Sequence, residues 1–93
     1  MPLWWLSFTD PQRPKGERFL GVALVETEEI ADLREATKAA IQKAWATGCN
    51  PGGEVQTGTL MLDRYDNAMR VRLARAPKHV LLSKEELEHY DLI

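Results

Sequence analysis

The stretch RFLGVALVE, residues 18–26, decides the fold. From Phe19 to Val25 it is apolar at odd and even positions alike. Side chains alternate sides along a strand, so a strand of this composition is covered on both faces and sits centrally in its sheet. Before it, LWWLSF (3–8) is aromatic and strand-like, with Trp4, Leu6 and Phe8 on one face and Leu3, Trp5 and Ser7 on the other. The two adjacent tryptophans therefore point in opposite directions. DPQRPKGE (10–17) joins the two strands, and its prolines and glycine make it a loop.

After the central strand the period changes. Thr27 is placed to cap a helix, with Glu28 and Glu29 favourable in its first turn. Ile30, Leu33, Thr37, Ala40, Ile41, Ala44 and Trp45 then share one helical face, and Gly48 ends a helix of about 28–47. EVQTGTLML (54–62) reads as a strand, Asp66-Asn67 as a turn, and AMRVRLA (68–74) as an alternating strand with Arg70 and Arg72 side by side on its outer face. These two strands are expected to form a hairpin that ends at Ala76-Pro77. Ser83 and Glu86 have capping-box spacing and Leu82 and Leu87 staple spacing, which predicts a short C-terminal helix. The order is β-β-α-β-β-α: an α+β domain over 1–93, with a small, mainly antiparallel sheet and the long helix across one face.

Bulk properties bound the function. Apolar residues are 44% and charged residues 28%, as in a soluble globular domain. No apolar run approaches the ~20 residues that span a bilayer. The N-terminus lacks a signal-peptide pattern, and the lone Cys49 excludes an internal disulfide framework. A cytoplasmic protein with no membrane partner is expected. The net charge of −2 argues against bulk nucleic-acid binding. Residues 63–78 nevertheless carry five basic side chains against Asp63 and Asp66, which is +3 and leaves −5 for the remainder.

Three features are candidate binding elements. GCNPGGEVQTG (48–58) holds four of the six glycines, more than a helix-to-strand link needs. Gly-Gly lets another backbone or a ligand approach closely, and Asn50, Gly52, Gly53, Glu54 and Gln56 would supply polar and backbone contacts. A helix precedes these glycines, however, and its negative dipole end opposes an anion. As a turn, the stretch is a helix stop followed by Asn50-Pro51-Gly52-Gly53. Trp5, if exposed, would stack on a base or anchor a protein interface; it could equally pack beneath the second helix. Arg70 and Arg72, with Arg13, Lys15 and Arg18 near the first hairpin, could hold a phosphate by bidentate contacts, or simply solvate a strand face.

Catalysis has less support. Cys49 follows a helix C-terminus, which disfavours a thiolate. His79 and His89 lack metal-ligand spacing, and His79 is the one residue considered as a general base. The pairs Glu28-Glu29 and Glu85-Glu86 sit at helix starts. No catalytic residue, metal site or cofactor is assigned.

The pattern W-L-S-F, D-P…R-P-K-G, F-L-G-V and G-x-N-P-G-G-E-V over residues 4–56, with L-L-S-K-E-E-L at 81–87, resembles a small protein family of phages and prophage-bearing bacterial genomes. In size and compactness the chain is similar to phage anti-defence sponges, small homo-oligomers that sequester immune-signalling nucleotides. The resemblance implies a setting and no residue roles. Three expectations follow. The first is a non-enzymatic, homo-oligomeric protein that captures a small nucleotide. The second is an inhibitor or adaptor that binds a host protein through a Trp/Arg patch. The third is an enzyme acting on such a nucleotide.

Overall fold

The computed structural model describes residues 2–93. Its elements are β1 (Leu3–Thr9), β2 (Phe19–Glu26), α1 (Leu33–Ala46), β3 (Glu54–Leu60), a single 3₁₀ turn (Leu62–Arg64), α2 (Asn67–Arg75), β4 (Leu81–Leu82) and α3 (Lys84–His89). The sheet is antiparallel, in the order β3-β1-β2-β4. This is the expected α+β class, with the long helix on one face.

The two faces of β2 seed two cores. Ala23 and Val25 join Trp4, Leu6 and Phe8 beneath α1, whose Ala36, Ala40 and Ala44 are buried. Val22 and Leu24 join Leu3, Leu73 of α2, Leu82, and Leu87 of α3 on the other side. Residues 36, 40 and 44 recur at the helical i, i+4 spacing, so a stripe of methyl groups faces the sheet. That stripe differs from the expected face. Ala40 and Ala44 do point inward and Ile41 packs alongside, but Leu33 is 71% and Trp45 51% exposed. Trp4, Leu6 and Phe8 already fill the space above the sheet, so the helix packs through its smallest side chains.

The start of α1 also differs. Asp32, not Thr27, is the N-cap, and its carboxylate accepts the Arg34 and Glu35 N–H groups. Thr27 is buried instead, and its Oγ1 accepts the Trp4 indole N–H at 3.0 Å. A buried indole N–H needs such a partner.

The largest correction concerns 68–74, which is α2 and not the second strand of a hairpin. Asp66 caps it by accepting the Met69 N–H at 2.9 Å. Met69, Leu73 and Ala76 meet the second core, at i, i+4 and i+7, while Val71 is exposed. Without that hairpin, β3 pairs with β1 along its full length, Leu3 opposite Leu60 through Thr9 opposite Glu54. The fourth strand is the short β4, opposite Val22 and Ala23. The capping box of α3 forms as expected between Ser83 and Glu86.

Thr27→Val removes the acceptor of the buried Trp4 N–H and should destabilise the fold by about 1–3 kcal/mol. In urea unfolding this appears as a lower midpoint at unchanged slope. An unchanged midpoint would show that the bond contributes nothing.

Candidate functional site

The Gly-rich turn begins as a helix terminator. Gly48, with φ of 94°, donates its N–H to Trp45, and Cys49 donates to Ala44 at 2.8 Å. These two bonds are a Schellman motif, and the residue after the left-handed position usually packs back on the helix. Cys49 does so and is buried in the first core beside Ala44. Burial pushes its thiol above the ordinary value of 9.0, against a smaller lowering by the Thr47 hydroxyl.

The excess glycine has a local cause at Gly53. Its φ is 70°, and a Cβ there would overlap the Thr9 carbonyl oxygen and lie 3.2 Å from Asp10 Cα. The close approach expected of this turn is made by the chain's own backbone, where β3 enters the sheet beside the end of β1. Asn50 and Gly52 are exposed. Asp10, Pro11, Gln12, Gly53 and Glu54 rim a shallow depression in which the charged groups are two carboxylates. That arrangement repels a phosphate.

The arginine pair dissolves with the hairpin. Residues two apart on a helix are about 200° apart around its axis. Arg70 and Arg72 therefore cannot clamp one phosphate together. Arg70 Nε donates to the Tyr65 carbonyl at 2.9 Å and lines a groove with Leu3, Glu26 and Leu73. Lys78 Nζ caps α2 through the Leu73 and Ala76 carbonyls, both at 2.6 Å. Arg72 and Arg75 lie in the last turn, where positive charge complements the helix dipole. Much of the +3 segment is thus explained by helix capping. Arg18 donates from Nε to the Arg13 carbonyl at 3.0 Å, in the loop before β2. It lies at the Thr9 end of the sheet, while Arg70 lies at the Leu3 end, about 20 Å away along the strands. One chain does not bring Trp5, the glycine turn and the α2 arginines together.

Trp5 does line a groove. It is half-buried, at the edge of the second core. With Phe19, Val22, Leu87 and Ile93 it bounds a mainly apolar space of about 360 Å³, with Ser7, Gly16 and Lys84 completing the lining. Gly58 stands opposite Trp5 on β3, and an added Cβ there would meet nothing within 4 Å, so the β3 side of Trp5 is not walled by that residue. Gln56 stands opposite Ser7 and Glu54 opposite Thr9, so both share the Trp5 face of the sheet. Phe19, Lys84 and Ile93 were not singled out from the sequence. Their only local signal is apolar or basic character next to a loop or terminus, and the packing of α3 against β2 is what joins them to Trp5.

His79, the residue considered as a general base, is held against β2. Its Nδ1 is sealed from solvent without a hydrogen-bond partner, its backbone has φ of 60°, and its N–H donates to the Leu24 carbonyl. Among the described residues no three His, Cys, Asp or Glu side chains gather as metal ligands. No helix among them is long and apolar enough to cross a membrane. Comparison with family models, curated proteins and solved structures finds no match to this chain.

Gly52→Ala should cost about 1 kcal/mol, from left-handed strain alone. Gly53→Ala should cost about 1–3 kcal/mol more, because of the overlap with Thr9. Equal losses in denaturant titrations would contradict the close approach. Cys49 should react with a thiol reagent only on unfolding. Its raised folded-state value means the unfolded chain ionises first, so its contribution to stability is complete below pH 9.0 and declines as pH climbs above it. Fast labelling of the native protein at pH 8 would contradict the burial.

Proposed function

We propose that this protein is a non-enzymatic binding protein that captures a small anionic ligand with a flat ring. In the phage setting that its sequence pattern resembles, that ligand is a signalling nucleotide of a bacterial immune system. The observation that carries the reading is Trp5, half-buried in a groove of about 360 Å³ with Lys84 in its lining. That volume suits a small ligand, and an indole held by a core presents a fixed stacking surface. Lys84 supplies positive charge for an anionic group. Arg18, which directly precedes the groove residue Phe19, is the expected arginine nearest to it in the chain. Gln56, on the same sheet face, offers donors and acceptors to a base edge.

A second reading, an inhibitor or adaptor that binds a host protein, is favoured by Phe19 and Ile93. They are 41% and 62% exposed beside Trp5. Together the three make an apolar patch of the kind that anchors protein interfaces.

Thermal unfolding against a panel of linear and cyclic nucleotides separates the two. A captured nucleotide at 100 times its dissociation constant adds about 2.7 kcal/mol, a shift of roughly 10 °C or more in a domain this size. The shift, measured from each variant's own midpoint, should vanish in Trp5→Ala and shrink in Lys84→Ala. A flat panel, or a full shift in Trp5→Ala, overturns the nucleotide reading.

A further inference from the structure

The two edges of the sheet are protected differently. The β4 edge is two residues long and runs directly into the α3 cap at Ser83. The β3 edge is seven residues long and follows β1 in unbroken register, with no bulge, no proline and no basic residue. Its one charge, Glu54, stands at its first position. Short length, lysine, proline and bulges are the usual means of keeping an edge from pairing, and β3 uses none of them.

We propose that β3 pairs antiparallel with β3 of a second copy of this chain, about a two-fold axis at Thr57. The sheets of the two copies then become continuous. The axis follows from the sequence of the strand. Centring on residue 57 uses all seven positions, and residues brought opposite each other share a face. Thr57 meets the partner's Thr57, and Val55 meets the partner's Thr59. This gives a β-branched row across the interface, of the kind that stabilises antiparallel pairs. Glu54 meets the partner's Leu60, which keeps the two Glu54 carboxylates about 20 Å apart, beyond the screening length.

The remaining pair lies on the sheet face that carries Trp5. Gly58 meets the partner's Gln56, so the cross-strand row on that face runs Trp5, Gly58, the partner's Gln56. The space that Gly58 leaves open is the space the partner's Gln56 side chain enters, and the symmetry repeats this beside the second Trp5. The dimer thus brings the partner's Gln56 to the β3 side of Trp5, the side away from Phe19 and α3, and the pairing does not depend on the nucleotide reading.

Light scattering on a sizing column, over a dilution series reaching about 100 µM, reads the assembly directly. The expected mass at the upper end is twice 10.6 kDa. Thr57→Lys sets two like charges opposite each other on the axis and should yield a monomer. Thr57→Cys keeps the strand and tests the register. Paired residues on the axis have Cα atoms about 4.5–5.5 Å apart, within disulfide reach, so mild oxidation should link two chains. Thr59→Cys, about 13 Å from its symmetry mate, should not link. A monomeric mass throughout the series, a dimer unaffected by Thr57→Lys, or linking through Thr59→Cys as efficient as through Thr57→Cys overturns the proposal.

Discussion

The structure depends on burying one strand from both sides. Val22, Ala23, Leu24 and Val25 are each at most 1% exposed, and no single layer could cover all four. Each buried Val or Leu contributes about 1.5–3 kcal/mol over its exposed state, so a domain of 93 residues has reason to complete both layers. On one face α1 does so through its alanines. On the other, α2 and α3 divide the task through Leu73 and Leu87. This two-sided demand fixes the path of the chain after β3. The segment that might have become a further strand must return across the sheet as a helix.

Incomplete cover on the second face creates the groove. The first face is closed over Trp4, whose indole N–H finds Thr27. The second is closed by two short helices, of nine and six residues, and Trp5 lies partly open. Adjacent residues of one strand thus hold different roles: Trp4 anchors the core and Trp5 offers a surface. The charged groups are spread in a different way. Basic side chains gather around the end of α2, where carbonyls and the dipole hold them, and carboxylates rim the glycine turn. Lys84 is the charged side chain in the lining of the Trp5 groove.

How much of this is legible in the sequence varies by element. β1, β2 and α3 follow from alternation, from continuous apolar character and from a capping box, because those signals are local. α1 is legible as a helix, but its inward face is not. Large apolar residues dominate a periodicity count, while packing above a sheet filled by Trp4 and Phe8 selected alanine. AMRVRLA misleads because Met69, Val71 and Leu73 alternate like a strand, whereas Met69 and Leu73, with Ala76 just beyond the stretch, also fit a helix. Seven residues do not separate the two periods, and the Asp66 cap tips the balance. Trp5 and Gln56 were identifiable as candidates. Phe19, Lys84 and Ile93 were not, since their meeting depends on where α3 docks. Of the two glycines at 52–53, Gly53 marks a close approach, made by the Thr9 backbone, while Gly52 faces open space.

Exchange of the indole N–H protons tests the division between Trp4 and Trp5 most directly. The indole resonances can be assigned with Trp4→Phe, Trp5→Phe and Trp45→Phe. The Trp4 proton, buried and bonded to Thr27, should exchange only with opening of the first core, and the Trp5 proton much faster. Equal protection of the two would mean that both tryptophans are sealed, leaving no stacking surface in the groove. Fast exchange at Trp4 would mean that the two-sided core itself is wrongly drawn.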